Sequence, residues 1–360
     1  MNQSTQQPLL TRSQCAALRG LAIIGIFLHN YCHWLGFAVK ENEYTFTASK
    51  WHDLLAALMQ PDWNLPIHLL SFFGHYGVPV FLFLSAYGLV MKYESRREPS
   101  SDTLLYNKKE ESAWLFVWKH FVKLFDMMII GYVAFTLVDA VTPARHIYAA
   151  TDVVAQLLMV NNLLPDPDRI IWPGPYWFFG LMLQLYVVYR LLLQRRGWKT
   201  AVALVLACWL MQAVCDPEGD ALNRIRYNCM GGVLPFCAGL LYARHGRALS
   251  RRSWAVALVL SAVGIGVFSA NFQLWLWCPL LVCVFSIALV KLLPRNVEEL
   301  LAWMGGISAA LFVLHPITRK IFIALYRREN IYAGLLLYAV SSVALAWSYE
   351  LVKKLKKSRS

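Results

Sequence analysis

The feature that most constrains this chain is a series of long apolar runs that recurs along almost its whole length. A helix of roughly 20 mostly apolar residues is needed to cross about 30 Å of hydrocarbon. Ten such runs lie near residues 15–37, 67–91, 115–138, 175–193, 199–215, 229–243, 254–269, 272–291, 301–323 and 330–351. The sixth run is the shortest and is interrupted by Gly231, Gly232 and Pro235. The pattern predicts an all-α polytopic membrane protein with about ten transmembrane helices.

The composition agrees with a membrane protein and argues against a soluble domain. The chain is 58% hydrophobic and 15% charged, whereas soluble domains are roughly 45–50% apolar and 25% charged. No charged block is large enough for a separate domain. We therefore expect one membrane domain, residues 14–352, between a short N-terminal tail, residues 1–13, and a basic C-terminal tail, residues 353–360.

The distribution of basic residues predicts the orientation, because lysine and arginine concentrate on cytoplasmic loops. Most of the 34 lysines and arginines fall on alternate connections, including the segment from Lys92 to Lys123 and the C-terminal tail. This alternation places both termini in the cytoplasm and predicts a multi-pass protein of the plasma (inner) membrane. The net charge of +13 is then explained by cations that meet anionic lipid head groups, with no nucleic-acid partner.

Two predicted outer connections are long, Ala38 to Pro66 and Asp139 to Gly174. Loops of this length commonly form lids or binding surfaces. The second contains an apolar piece, Val153 to Leu164, that is too short to span and is either interfacial or re-entrant. The aromatic stretch from Trp172 to Phe179 follows it, as an interfacial belt or as a wall for a sugar.

The eight cysteines give no metal-binding or redox motif, because none of them forms a Cys-x-x-Cys pair. They resemble small buried hydrophobic residues. Cys215 and Cys229 flank the same predicted outer loop, so a disulfide between them is possible. We expect no metal.

Ionisable residues inside spans are costly and are the default functional candidates. In the first span, Arg19 precedes His29 by ten residues, or about 15 Å along a helix. His33 lies one turn beyond His29 on the same face. Arg19 could snorkel to head groups and His29 could serve packing, but two histidines on one face favour a function.

Other polar residues recur in the second and ninth spans. Ser308 and His315 are seven residues apart, and Arg319 continues the same helix face. In the second span, Ser85 and Tyr87 either contribute to a site or bond to a neighbouring carbonyl. Carboxylates are scarce in the spans. Asp126 in the third span is the clearest one, and it could equally pair with a nearby lysine.

These segments together resemble the acyltransferase 3 family. Its hallmark is an arginine or lysine ten residues before a histidine in the first membrane helix, as in Arg19 and His29. The stretch from Gly77 to Tyr87 is similar to the family's Gly-Val-x-x-Phe-Phe-x-Leu-Ser-Gly-Tyr pattern, and Ser308 to His315 to its late Ser-x-x-x-Tyr-Leu-x-His pattern. The resemblance extends over residues 13–351.

The chain departs from the family pattern at several positions. Leu82 and Ala86 replace a phenylalanine and a glycine in the second span, and an aromatic position of the late pattern holds Leu311 or Phe312. Gln184 stands where one subgroup has a glutamate, so a carboxylate role there is not expected.

The resemblance implies transfer of an acyl group, often acetyl, from cytoplasmic acyl-coenzyme A to a hydroxyl of a surface polysaccharide or lipid-linked sugar. Arg19 would orient the donor's phosphates, with Ser85 and Tyr87 in the same donor-binding set. His29 would take the acceptor's proton or relay the acyl group. His315 and Ser308 complete the predicted catalytic set.

Two other functions fit the same residues. A transporter or flippase would use a similar polar cavity for passage, although no repeat symmetry and no series of intramembrane carboxylates is visible. A catalytically silent sensor or scaffold would leave Arg19 and His29 replaceable.

Overall fold

The computed structural model describes residues 9–94, 111–324 and 330–359, and these residues form helices and connecting loops with no strand. Three predicted segments lie partly outside the described residues. They are the N-terminal tail over 1–8, the inner segment over 95–110 and the last outer loop over 325–329. The terminal residue, Ser360, lies outside as well.

The described residues form α-helices that we number in chain order. They are α1 (Arg12–Cys32), α2 (Ala48–Met59), α3 (Leu65–Phe73), α4 (Gly77–Tyr93), α5 (Ala113–Val141), α6 (Ala150–Leu157), α7 (Pro167–Ile170), α8 (Trp177–Val188), α9 (Trp198–Ala213), α10 (Asp220–Tyr227), α11 (Cys229–His245), α12 (Arg251–Phe268), α13 (Phe272–Trp275), α14 (Cys278–Leu292), α15 (Arg295–Gly306), α16 (Ser308–Phe322) and α17 (Ile331–Arg359). Short 3₁₀ turns at Gly74–Tyr76 and Gly174–Tyr176 lead into α4 and α8, and a π-helical turn at Tyr189–Leu193 extends α8.

Six helical segments of the described chain are long and apolar enough to cross a membrane. They are Arg12–Cys32, Leu65–Tyr93, Ala113–Val141, Gly174–Leu193, Arg251–Phe268 and Ile331–Lys356. The pair α15 and α16 makes a seventh if it counts as one broken span, whereas α9 and α14 are shorter apolar helices. The chain is therefore an all-helical, multi-pass membrane protein. The count of ten spans and the cytoplasmic termini stay predictions.

The first helix lies at the centre of the bundle. It begins at a capping box in which the Thr11 hydroxyl accepts from the Gln14 N–H and the Gln14 side chain accepts from the Thr11 N–H. It packs against α3, α4, α14, α15 and α16. Gly20 of α1 faces the Leu301 carbonyl, and Gly305 of α15 faces the Ala16 carbonyl, so a side chain at either glycine would collide with backbone.

The predicted ninth span is not one straight helix. Helices α15 and α16 meet at Ile307 with a bend of 67°. Glycines at 305 and 306 and a serine at 308 surround the bend, and residues of these types are common at sharp helix kinks. The bend separates an amphipathic helix, α15, from α16, in which Ser308 is followed by six apolar residues.

The long connections contain short helices. The segment from Ala38 to Pro66 contains α2. The apolar piece from Val153 to Leu164 is helical only as far as Leu157, where α6 ends, and then forms a 3₁₀ turn at Asn161–Leu163. All eight cysteines lie within the described residues and are free thiols, so the possible disulfide between Cys215 and Cys229 is absent.

Candidate active site

A polar cavity of about 450 Å³ lies at the C-terminal end of α1. Its wall comes from the last turns of α1, the loop that follows α1, the 3₁₀ turn before α4, the start of α8 and one face of α16. This is the opposite end of α1 from its cap at Thr11. The predicted topology places it toward the outer face of the membrane.

His29 projects from the last full turn of α1 into this cavity and is 4% exposed. Its Nδ1 lies 2.7 Å from the Ser71 carbonyl oxygen. Because a carbonyl oxygen only accepts, Nδ1 carries the proton and Nε2 presents its lone pair to the cavity. A side chain at Gly74 would collide with the His29 β-carbon and with the Gly25 backbone, so this glycine lets the turn before α4 approach His29.

Glu41, on the loop after α1, lies between the side chains of His29 and His33. Its Oε1 is 3.4 Å from His29 Nε2, and its Oε2 is 3.5 Å from His33 Nδ1. The residue is 1% exposed, and neither carboxylate oxygen has a hydrogen bond within the described part of the chain. Burial opposes ionisation of Glu41, but the neighbouring imidazoles of His29 and His33 outweigh it, so the net pKa is lowered.

A second histidine–carboxylate pair lies beside the first. His75 Nδ1 is 2.9 Å from Glu43 Oε1, and the His29 and His75 rings are 5.7 Å apart. Burial again opposes ionisation of Glu43, but the charge and hydrogen bond of His75 dominate and lower its pKa. Two carboxylates and three imidazoles therefore lie close together in the cavity wall.

Four of these groups could hold a metal ion. The nearest donor atoms of His29, Glu41, Glu43 and His75 all lie within 4.8 Å of one another. Imidazole and carboxylate donors suit zinc. The separations of 2.9 and 3.4 Å equally fit paired acids and bases that share protons, and no cation is required for that.

Aromatic rings form the opposite wall. Tyr44 stacks on Tyr227 with ring centroids 3.8 Å apart, and Trp177 packs edge-on against Tyr44 at 5.6 Å. The Tyr227 hydroxyl donates to Asp168 at 2.5 Å, and Asn223 donates to the same carboxylate at 2.8 Å. Flat apolar rings beside fixed amide and carboxylate groups are suited to a polyhydroxylated ligand.

The profile of an acyltransferase domain matches residues 16–351, nearly the whole chain. This chain belongs to the acyltransferase 3 family. No curated protein and no solved structure matches it. The match identifies an acyltransferase, and with the apolar helices it identifies a multi-pass membrane enzyme.

Of the three predicted catalytic residues of this acyltransferase, one lines the cavity and two do not. His29 lines the cavity, whereas Ser308, which donates to the Gly305 carbonyl at 2.8 Å, is not among the residues that line it. His315 is fully buried and donates from Nδ1 to the Leu311 carbonyl at 2.9 Å. Its Nε2 has no partner among the described residues. Phe312, one turn earlier, separates His315 from the cavity lumen.

The predicted donor-binding residues lie away from this cavity. Arg19 is exposed, at about 15 Å along α1 from His29. Ser85 donates to the Phe81 carbonyl at 2.8 Å, and the Tyr87 hydroxyl accepts from the Leu10 N–H at 3.1 Å. The structure thus separates the predicted donor residues from the predicted base.

Two further polar residues, Asp126 and Gln184, were considered from the sequence, and the structure shows where each of them lies. Asp126 is exposed on α5 and does not line the cavity. Gln184 donates to Asn228 at 2.7 Å and accepts from the Cys229 N–H at 2.8 Å. Its amide therefore uses both a donor and an acceptor, which a glutamate could not reproduce.

Sequence reasoning missed Glu41, Glu43 and Tyr227. The three belong to no local motif, since they come from the loop after α1 and from α10. The available signal was two carboxylates, two residues apart, on a long outer loop that follows a histidine-bearing span.

Proposed function

We propose that this acyltransferase moves an acetyl or similar acyl group from cytoplasmic acyl-coenzyme A to a hydroxyl of a surface polysaccharide or lipid-linked sugar. The observation that supports it best is the geometry of His29. A carbonyl fixes its Nδ1–H, and its free Nε2 faces a buried carboxylate in a cavity with an aromatic wall.

In the proposed reaction the acceptor hydroxyl oxygen attacks the thioester carbonyl carbon while His29 Nε2 takes the hydroxyl proton. The carbon–sulfur bond then breaks, and coenzyme A leaves as a thiolate that takes up a proton. The imidazolium that forms faces Glu41, whose oxygens have no hydrogen bond in the described chain. Ser71 holds the ring in the tautomer that the step requires.

A relay in which His29 itself carries the acyl group is less well supported. The nitrogen that would bear the acyl group lies 3.4 Å from Glu41 Oε1. A carboxylate at this distance stabilises a proton on Nε2, which favours His29 as a base over His29 as an acyl carrier.

The donor side of the proposal rests on Arg19 at the other end of α1. An exposed guanidinium is suited to bidentate contact with phosphate. An apolar cavity of about 390 Å³ runs beside α1 between the two ends, lined by Leu21, Gly25 and Gly74 among others. We propose that the pantetheine arm and its thioester follow this apolar side of α1 toward His29.

The test is transfer of a labelled acetyl group from acetyl-coenzyme A by the purified full chain, with acceptor extracted from the host membrane. We expect His29→Ala and Glu41→Gln to lower turnover by about 10²- to 10⁴-fold, the usual contribution of a general base, while donor binding persists. His52→Ala is the matched control, since His52 is an exposed histidine of α2 outside the cavity.

Two results would contradict the proposal. Turnover that survives His29→Ala would remove the base from the mechanism. Failure of wild type to bind acyl-coenzyme A at all would favour a transporter or flippase.

A further inference from the structure

Arg319 is a buried cation in the wall of the cavity. It lies on α16, one turn after His315, and is 4% exposed. It lines the same cavity as His29 and forms no ion pair with a carboxylate within residues 9–94, 111–324 and 330–356. A buried charge without a counter-ion is costly, so its retention in a cavity wall points to a ligand.

Within the described residues, the contacts of Arg319 leave most of its N–H donors without a hydrogen-bond acceptor. Its Nη1 donates to Asn30 Oδ1 at 3.2 Å, and the guanidinium lies 4.6 Å from the centre of the Trp34 ring. Asn30 in turn donates to the Ile26 carbonyl at 3.3 Å, which directs its oxygen toward Arg319. A guanidinium has five N–H donors in a planar fork, so the fork can still bind an anion while these contacts hold it in place.

The next residue, Lys320, shows what a neutralised cation looks like in the same turn. Its Nζ lies 2.6 Å from Asp139 Oδ1 and also donates to the Ala144 carbonyl at 2.7 Å. The charge of Lys320 is thus neutralised by a carboxylate of the protein itself, whereas that of Arg319 is not neutralised within the described residues. The difference indicates that the counter-ion of Arg319 is a ligand.

The carboxylates of the cavity are already engaged and do not serve Arg319. Glu41 faces His29 and His33, and Glu43 faces His75. Asp168 accepts from Tyr227 and Asn223. Lys40 and Lys50 add two more cations to the lining.

We propose that Arg319 binds an anionic group of the acceptor, a phosphate or a carboxylate, beside His29. This inference rests on the proposed function and narrows the acceptor to a charged sugar. The guanidinium fork matches the paired oxygens of either anion. Asn30, which anchors Arg319, follows His29 directly in α1, so the bound anion places the rest of the acceptor next to the base.

The anion is assigned to the acceptor because of where Arg319 lies. The phosphates of the donor are proposed to lie at Arg19, about 15 Å away along α1 from His29. Arg319, on α16, lies near the opposite end of α1 and lines the cavity with the aromatic wall.

The test measures binding without any acyl donor. The purified full chain in detergent is titrated with glucose 1-phosphate, glucuronate or glucose at constant ionic strength, and the apparent unfolding temperature is followed. We expect at least one of the two anionic sugars to bind wild type more tightly than glucose does. We expect Arg319→Gln to weaken that binding by about tenfold or more.

The arms of the experiment distinguish the two sources of charge. Preference for glucose 1-phosphate assigns a phosphate-bearing acceptor, and preference for glucuronate assigns an acidic sugar. Arg145→Gln is the matched control, because Arg145 is an exposed arginine outside the cavity. Equal affinity for glucose and both anions, or unchanged affinity in Arg319→Gln, would overturn the proposal.

If Arg319→Gln does not fold, Arg319→Lys decides. It keeps the charge but replaces the fork with a point charge, and we expect anion binding several-fold weaker than in wild type. Unchanged anion binding in this variant would overturn the proposal. A protein that binds anions but transfers no acyl group would refute the proposed function alone, and one that transfers acyl groups without anion preference would refute this inference alone.

Discussion

At the scale of residues, the site is a cluster of carboxylates and imidazoles that lie close together. Glu41 would be costly to bury alone, yet two imidazoles approach its two oxygens. Glu43 and His75 repeat the arrangement beside it. A proton taken up by His29 therefore enters a volume that already holds negative charge, which is the electrostatic condition for a general base.

Replacement of Arg19 is expected to affect the donor and leave the chemistry intact. Arg19→Ala removes an exposed guanidinium far from His29, so the dissociation constant for acyl-coenzyme A should rise by about tenfold or more, with a smaller change in turnover at saturation. Equilibrium binding of labelled coenzyme A measures this. Arg12→Ala, an exposed arginine two turns earlier, is the control, and equal affinity in wild type and Arg19→Ala would contradict the assignment.

Zinc is expected to inhibit the enzyme, because its coordination would use the Nε2 lone pair that proton transfer needs. The donor atoms of His29, Glu41, Glu43 and His75 are close enough to coordinate one ion. Added zinc should lower turnover, and EDTA should restore it. Glu43→Gln should weaken the inhibition, while EDTA alone should leave the untreated enzyme unchanged. Loss of turnover on EDTA treatment alone would mean that a metal is required and that His29 is not the free base.

At the scale of elements, α1 connects the two halves of the proposed mechanism. It is one continuous helix from Arg12 to Cys32, so the separation of Arg19 from His29 is fixed by helix geometry. The position of α1 is fixed in turn by glycines that allow neighbouring segments to contact it closely. Gly305 of α15 lies against the Ala16 carbonyl, and Gly74 lies against His29 itself.

The α1–α15 contact gives a stability prediction with a built-in control. Gly305→Ala would drive a β-carbon into the Ala16 carbonyl, whereas Gly306→Ala would place one in open space. Overpacking of this kind typically costs about 1–3 kcal/mol. We expect a lower unfolding temperature in detergent for Gly305→Ala and little change for Gly306→Ala. Equal unfolding temperatures would show that α1 and α15 separate easily.

At the scale of the whole molecule, the two ends of α1 define two chemical environments. The end near Thr11 has the exposed Arg19, and the other end has the polar cavity with its aromatic wall. An enzyme that joins a cytoplasmic donor to a surface acceptor needs this polarity. The predicted orientation, in which the C-terminal end of α1 faces outward, supplies this polarity.

Thiol labelling in intact cells tests that orientation. Lys40→Cys places a thiol at the exposed edge of the cavity, and Arg12→Cys places one at the other end of α1. A membrane-impermeant maleimide should label the first directly and the second only after permeabilisation. The parent protein, with its own eight free thiols, gives the background. The reverse pattern would invert the topology and place the cavity in the cytoplasm.

From the sequence alone, the class of the protein and the spacing of two predicted functional residues could be inferred. Apolar runs of this length are stable in a membrane. They form helices there, because each backbone N–H and C=O group must find its hydrogen-bond partner within its own segment. Spacing along one helix then fixes Arg19 and His29 relative to each other. The family followed from the same local patterns.

Tertiary structure decided what surrounds His29. Glu41, Glu43, His75 and Arg319 come from a loop, a 3₁₀ turn and a distant helix, and no periodicity in the sequence relates them. It also decided that Ser308 does not line the cavity, and that α16 departs from α15 at a sharp bend. Local spacing specifies direction along a helix, whereas the meeting of separate segments depends on packing, which only the folded chain fixes.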